Sequence, residues 1–289
     1  MFEGVYPAII TPFKAGEIDY DGLRENINFL IENGVDGLVV VGTTGESPTL
    51  SHEEHKKVIE KAVEFVDGRV KVIAGAGSNS TREAIELSVF AEDVGADAVL
   101  SITPYYNKPT QEGLKRHYSE IAKSINIPIV IYNLPSRTGV NIEIKTLKEL
   151  SEEFSNIVAI KEANPDLSRV SETILNTNLT VLSGNDELTL PILALGGKGV
   201  ISVVANIMPK EMVELVRSAL NGDFERAREL HYKLYPLMKV LFIETNPIPV
   251  KTALNLLGRP AGELRLPLCE MSEEHRRELE KVLKDLNLL

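Results

Sequence analysis

A lysine at the end of an apolar run is the residue best placed to do chemistry. Lys161 directly follows the four apolar residues 157–160. An ammonium group at the end of a buried strand is costly unless its charge is paired or its pKa falls. A desolvated, partly neutral lysine is a nucleophile toward ketones and aldehydes. The alternative is that Lys161 only marks the strand end and reaches water.

The preceding apolar run supplies two candidate partners for this lysine. Tyr132 occupies the corresponding strand-end position, where a phenol can exchange a proton with a carbinolamine. Arg137 follows in the next loop, and its planar fork suits a carboxylate. Each has a plainer interpretation. Tyr132 could be a core aromatic residue with a satisfied hydroxyl, and Arg137 could form a surface ion pair.

Glycine-containing loops follow two other runs. Residues 42–47 read GTTGES, and the amides and hydroxyls of Thr43 and Thr44 could bind a small anion. No Gly-Lys-Ser/Thr follows, so this is not a Walker A loop. Residues 75–80 lack the last glycine of a dinucleotide fingerprint, which disfavours a nicotinamide cofactor. His52 and His55 lie in an H-E-E-H sequence that does not match the H-E-x-x-H zinc motif.

Eight short apolar runs predict the elements that must position these residues. Each is mostly β-branched and ends in small or turn-forming residues, as buried parallel strands do. Amphipathic helical patterns separate them, and Ser51-x-x-Glu54 and Ser80-x-x-Glu83 predict capping boxes. The runs cover residues 5–12, 37–42, 70–77, 98–104, 128–134, 157–163, 180–184 and 199–205.

The spacing of these runs predicts an α/β fold, a (β/α)8 TIM barrel with a C-terminal helical subdomain. Eight strand-helix units fill the chain to about residue 220, close to the usual barrel length. A doubly wound sheet is the alternative, but it usually has five or six strands. We therefore expect a catalytic barrel over residues 1–222 and a helical subdomain over residues 223–289. That subdomain has helical patterns at 224–241, 249–257 and 272–286.

Composition excludes several classes of protein. The chain has 289 residues, 43% of them hydrophobic, and a formal net charge of −11. Such an acidic chain has no overall attraction for nucleic acid or an anionic membrane. Its one cysteine, Cys269, allows neither an intrachain disulfide nor a cysteine-based zinc site. The N-terminus lacks the pattern of a signal peptide, and no apolar stretch is long enough to span a membrane. We expect a cytoplasmic protein.

Six motifs follow one another in order along nearly the whole chain. They are GTTGES (42–47), PYYN (104–107), YNLPSRTG (132–139), IKEA (160–163), LSG (182–184) and NPIPVK (246–251). Together they resemble the dihydrodipicolinate synthase family. The wider superfamily includes N-acetylneuraminate lyase and 2-keto-3-deoxy sugar acid aldolases, which share the lysine and the tyrosine. Arg137 and the double threonine resemble the synthase branch, whereas an aldolase of that kind remains the alternative.

The resemblance implies a Schiff-base lyase that acts in lysine and diaminopimelate biosynthesis. Lys161 would form an imine with pyruvate, and the derived enamine would attack the aldehyde of L-aspartate 4-semialdehyde. Neither a metal nor an organic cofactor is implied. The implied proton relay consists of Tyr132, Thr44 and Tyr106, with Tyr106 contributed by a neighbouring subunit.

The resemblance also implies how both substrates are bound. The amides of Thr43 and Thr44 would hold the pyruvate carboxylate, and Arg137 would hold the carboxylate of the second substrate. Gly184 and Ile201 would line the pyruvate pocket. The family is usually a homotetramer built as a dimer of dimers. We therefore expect a homo-oligomer.

A second, regulatory site is implied for L-lysine. Regulated family members bind it at a dimer interface, and Pro48 departs from the small residue that is common there. The positions that match this lysine site are Ser47, His52, His55, Asn79, Glu83 and Tyr105.

A different class of alternative is a catalytically silent barrel that senses pyruvate or lysine. The retained Lys161 and Tyr132 disfavour it.

Overall fold

The eight predicted strands form one parallel sheet that curves into a barrel. A computed structural model describes residues 2–289. Each strand lies within the apolar run that predicted it or begins one residue before it, so the predicted (β/α)8 architecture is confirmed. The strands are β1 (Gly4–Pro7), β2 (Gly37–Val40), β3 (Lys71–Gly75), β4 (Ala98–Ile102), β5 (Ile129–Asn133), β6 (Ile157–Glu162), β7 (Thr180–Ser183) and β8 (Gly199–Ser202).

Neighbouring strands follow one another around the barrel in chain order, and β8 returns to pair with β1. The sheet closes through a parallel bridge between Ala8 and Val39, where the Ile9 amide donates to the Val39 carbonyl at 3.0 Å. Between β5 and β6 the register sets Tyr132 directly beside Lys161. Adjacent parallel strands therefore carry the two candidate catalytic residues at the same level.

Helices follow the strands as the amphipathic patterns predict. Ser51 and Glu54 form the predicted capping box, but the second predicted box is wrong. The Ser80 side chain forms no capping hydrogen bond, and the Glu83 carboxylate interacts with the Ser78 hydroxyl. The helices are α1 (Tyr20–Glu32), α2 (His52–Val66), α3 (Thr81–Asp93), α4 (Gln111–Ser124), α5 (Pro135–Thr138), α6 (Ile144–Glu153), α7 (Leu167–Asn176), α8 (Thr189–Ala194), α9 (Pro209–Leu220), α10 (Phe224–Val240), α11 (Ile248–Leu256) and α12 (Glu273–Asp285).

The core has two layers, one inside the barrel and one between the strands and the helices. The inner layer contains one row of side chains from the barrel strands and the N-terminal residue Phe2. Both faces of each strand are covered, which explains why the strand sequences are apolar almost throughout. Tyr132 and Ile201 belong to the inner layer, so they face the barrel axis.

Three helices after residue 223 form the predicted C-terminal helical part. They match the patterns at 224–241, 249–257 and 272–286 to within about a residue. Leu279 and Leu283 of α12 are fully buried, and α12 packs on α10 and α11. Within residues 2–289, every helix is too short or too polar to cross a bilayer.

One small element of the fold was not predicted from the sequence. A two-stranded antiparallel hairpin pairs Phe13–Lys14 with Glu17–Ile18. Each of its strands has only two residues, too few for an alternating pattern to register. The Phe13 ring lies under the cationic groups of Lys251 and Arg265, each 4.3 Å from its centroid. The hairpin thus joins the first barrel unit to the C-terminal part.

Candidate active site

Lys161 and Tyr132 lie in contact inside the barrel. The Lys161 ammonium nitrogen is 4.0 Å from the centroid of the Tyr132 ring, and each residue is 6% exposed. The contact follows from the register of β5 and β6, which pairs these two residues directly. The structure therefore assembles the amine and the phenol that the sequence predicted as partners.

Burial makes the Lys161 amine nucleophilic. Desolvation lowers the pKa of Lys161 to about 7, and the nearby Arg137 cation also lowers it, while the Asp186 carboxylate raises it. About half of such an amine is neutral at pH 7, whereas an ordinary lysine is almost fully protonated. The neutral form is the one that attacks a carbonyl carbon.

The Tyr132 hydroxyl stays protonated at neutral pH. Burial raises the pKa of Tyr132 to about 12, opposed by the Arg137 charge and by a hydrogen bond with the Thr43 side chain. A neutral phenol can donate a proton to a developing oxyanion and take one back. Because the Tyr132 ring lies against Lys161, the phenol can exchange a proton with an oxygen on the carbon atom that is bound to the lysine nitrogen.

The loop after β2 presents two threonines beside the lysine and the tyrosine. Within residues 2–289, the backbone amides of Thr43 and Thr44 donate to no acceptor. Unpaired successive amides of this kind suit a small anion. The Thr44 hydroxyl is buried and accepts a hydrogen bond from the Asn246 side chain at 3.0 Å. The structure thus sets Thr43 against Tyr132 and Thr44 against Asn246.

Arg137 lies on the short helix α5, in a segment that the sequence analysis treated as a loop. Its guanidinium donates to the Asn246 carbonyl oxygen at 3.1 Å. Its side chain is exposed at the mouth of the barrel and borders the same cavity as Lys161. The remaining donors of its fork are available for a carboxylate.

A cavity of about 1060 Å³ opens over these groups, between the barrel mouth and the C-terminal helices. Gly184 and Ile201, the residues predicted to line a pyruvate pocket, both line this cavity. A Cβ atom on Gly184 would lie 2.7 Å from the Ala163 Cβ and 3.1 Å from the Lys161 Cε. Glycine at this position therefore leaves room for the lysine side chain.

One predicted relay member is not brought to the site by this chain. The Tyr106 side chain is 90% exposed, and its backbone is in the left-handed region with φ of 71°. It lies outside the lining of the cavity that contains Lys161. A place for Tyr106 in the relay requires a second copy of the chain.

A second, smaller cavity of about 370 Å³ adjoins the first and shares Thr43, Tyr132 and Arg137 with it. His52 pairs with Glu83 at 2.7 Å, and the buried His55 ring contacts the Gly75 carbonyl at 2.7 Å. Five of the six positions predicted for L-lysine line it; the sixth, Asn79, is half-buried outside that lining. The five are Ser47, His52, His55, Glu83 and Tyr105.

Two buried polar residues near the site, Asp186 and Asn246, were not predicted as functional from the sequence. One oxygen of Asp186 accepts the amides of Val203 and Val204 at 2.9 and 3.0 Å. Burial raises the pKa of Asp186. The only sequence signal that could have pointed to Asp186 is its position two residues after Gly184. Asn246 was recognised from the sequence only as the first residue of the NPIPVK motif.

Among the described residues, no group of three or more His, Cys, Asp or Glu could hold a metal ion.

Comparison with known proteins identifies the family. The model of the dihydrodipicolinate synthetase family matches residues 1–286. The chain belongs to this family. It is 78% identical to the 4-hydroxy-tetrahydrodipicolinate synthase of Methanocaldococcus jannaschii, over all of both chains. A crystal structure of a dihydrodipicolinate synthase, also 78% identical, superposes with a TM-score of 0.99 and full coverage of both chains.

Two further dihydrodipicolinate synthase structures bear on ligands and assembly. The enzyme from Cyanidioschyzon merolae, with lysine bound, is 40% identical, covers 100% and 99% of the two chains, and has a TM-score of 0.97. A monomeric synthase variant is 49% identical, covers 100% and 98%, and has a TM-score of 0.97. Family membership therefore does not by itself fix the number of subunits.

Proposed function

We propose that this chain is a 4-hydroxy-tetrahydrodipicolinate synthase, which condenses pyruvate with L-aspartate 4-semialdehyde through a Schiff base on Lys161. The observation that carries the proposal is the contact between a buried lysine of lowered pKa and a neutral tyrosine. Relatives that are named for this activity and match the whole chain support it. The aldolase alternative gains no support from them.

The first half of the reaction forms the imine. The neutral Lys161 amine attacks the ketone carbon of pyruvate, and the carbonyl oxygen takes up a proton to give a carbinolamine. Tyr132 is positioned to supply that proton and to recover it when water leaves. The resulting iminium withdraws electrons from the methyl carbon, so that loss of a methyl proton yields a nucleophilic enamine.

The second half forms the ring. The enamine carbon attacks the aldehyde carbon of L-aspartate 4-semialdehyde, and the new alkoxide is protonated. The amine of the second substrate then attacks the imine carbon, and the Lys161 nitrogen leaves as a neutral amine after taking up a proton. Tyr132, Thr44 and a neighbouring subunit's Tyr106 carry these protons in our proposal.

The two carboxylates have separate binding groups. The Thr43 and Thr44 amides, on residues that line the same cavity as Tyr132, bind the pyruvate carboxylate. Arg137, at the exposed mouth of the cavity, binds the carboxylate of the second substrate. Gly184 and Ile201 bound the space in which pyruvate reacts.

The proposal extends to assembly and regulation. Because Tyr106 is 90% exposed on one chain, we propose a homo-oligomer, a tetramer built as a dimer of dimers, in which it reaches a neighbouring site. We also propose that L-lysine binds at the smaller cavity as a feedback inhibitor. The carboxylate of Glu83 and the imidazole of His52 suit the ammonium and carboxylate of an amino acid.

Borohydride reduction in the presence of pyruvate tests the mechanism. The expected product is one pyruvyl adduct per chain on the peptide that contains Lys161, with no adduct in a Lys161→Met control. An adduct on another peptide would contradict the mechanism. A coupled assay with pyruvate and aspartate semialdehyde, run beside N-acetylneuraminate and a 2-keto-3-deoxy sugar acid, tests the substrate assignment.

A further inference from the structure

A fully buried ion pair links the active-site loop to helix α11. The Lys251 ammonium lies 2.7 Å from a carboxylate oxygen of Glu46, and their side chains are 1% and 0% exposed. Lys251 also donates to the carbonyl oxygens of Thr11 and Glu263 at 3.1 and 2.6 Å. The second Glu46 oxygen accepts the Arg265 amide at 3.2 Å. Each charged group is thus hydrogen-bonded to other protein groups.

Glu46 belongs to the loop that carries the predicted anion-binding amides. It lies two residues after Thr44, in the left-handed region with φ of 54°, where a residue with a Cβ atom needs support from its surroundings. The Thr11 hydroxyl donates to the Gly45 carbonyl at 2.7 Å, and the Thr11 carbonyl accepts from Lys251. The ion pair therefore holds the loop directly through Glu46. It also holds the loop indirectly through Thr11, which bonds to both Lys251 and Gly45.

The same C-terminal segment holds the loop at a second point. Asn246, five residues before Lys251, donates to the Thr44 hydroxyl at 3.0 Å. Two attachment points on one loop define its orientation as well as its position. Thr43 and Thr44 lie three and two residues before Glu46 along the chain.

Stability alone does not account for such a pair. Removing two charges from water costs about as much as their attraction returns, and apolar residues of similar size are often equally or more stabilising. The pair instead fixes the position of the loop relative to α11, because a carboxylate and an ammonium held by several hydrogen bonds tolerate little displacement.

We propose that Glu46 and Lys251 are positioning residues for the pyruvate half of the reaction. They hold the Thr43 and Thr44 amides in the orientation that binds the pyruvate carboxylate. The inference rests on the proposed function. Misplacing these amides weakens pyruvate capture without altering the Arg137 site, which lies on α5 and bonds to the Asn246 backbone.

Steady-state kinetics separates this role from a structural one. In a two-step reaction with a covalent intermediate, kcat/KM for pyruvate reports imine formation by the free enzyme. The kcat/KM for aspartate semialdehyde reports the reaction of the enzyme that already carries the pyruvate imine. We expect Glu46→Asp, which shortens the carboxylate arm but keeps its charge, to lower kcat/KM for pyruvate at least tenfold. The value for aspartate semialdehyde should change less than threefold.

A double variant removes the pair without leaving a buried unpaired charge. Glu46→Met with Lys251→Met should melt closer to the wild type than either single variant, yet should retain the defect in pyruvate capture. The control is Lys115→Met with Glu149→Met, which removes a partly exposed 3.0 Å ion pair between α4 and α6, away from the site. Its kinetic constants should match those of the wild type.

The outcomes are distinct. Wild-type pyruvate kinetics in a folded Glu46→Asp enzyme, or an equal loss for both substrates, would overturn the positioning role. If the double variant fails to fold, the Glu46→Asp kinetics still decide. A wild-type chain that does not turn over these substrates would instead refute the proposed function.

Discussion

The pH dependence of pyruvate capture tests the central electrostatic argument. Because burial lowers the pKa of Lys161 to about 7, the neutral amine fraction rises only about elevenfold between pH 6 and pH 9. A lysine of ordinary pKa would gain roughly a thousandfold over the same range. The shift favours the neutral amine by about 5 kcal/mol, the desolvation cost of the buried ammonium after correction for its charged neighbours.

The assay measures the rate of adduct formation with pyruvate and cyanoborohydride by intact mass at a series of pH values. We expect a plateau above about pH 8 for the wild type. Asp186→Asn removes a carboxylate that raises the pKa of Lys161, so its profile should move to lower pH. Arg137→Gln removes a cation that lowers this pKa, so its profile should move to higher pH. A rate that still climbs steeply at pH 9, or shifts of opposite sign, would refute the reasoning.

Three further predictions concern single side chains. Tyr132→Phe keeps the ring against Lys161 but loses the proton carrier, and should lower kcat about a hundredfold or more at an unchanged melting temperature. Asn246→Ala removes one hydrogen bond to the Thr44 hydroxyl and should lower kcat roughly three- to tenfold; because the Asn246 carbonyl remains, KM for aspartate semialdehyde should stay the same in initial-rate assays. Glu83→Ala should abolish calorimetric binding of L-lysine, and retained affinity would exclude the smaller cavity as its site.

The barrel was predictable because its signals are local. Each strand is buried on both faces, so its sequence is a short, continuous apolar run, and the helices between the runs carry their own periodicity. The hairpin at residues 13–18 has no such signal. The capping box expected at Ser80 failed for a related reason. The pattern was present, but the Glu83 carboxylate bonds to the Ser78 hydroxyl in the folded loop.

The candidate site was predictable only in part. Lys161 and Tyr132 end neighbouring strands, so parallel topology alone brings them together. The contact between Asn246 and Thr44 joins residues 202 positions apart, and no spacing rule anticipates it. The role of Asp186 likewise depends on which amides the turn after β8 presents. Long-range polar contacts of this kind arise from packing, which a single sequence does not display.

The net charge of −11 makes the buried Glu46–Lys251 pair more important for binding anionic substrates. Such a chain gives carboxylate substrates no overall electrostatic attraction, so their binding depends on a few aimed groups. One cation near the site, Arg137, is exposed, while Lys161 is about half neutral at pH 7. Backbone amides carry only partial charges, and their contribution falls steeply when they are misaligned. An anion site built from the Thr43 and Thr44 amides therefore needs a rigid frame, and the Glu46–Lys251 pair supplies one without adding net charge.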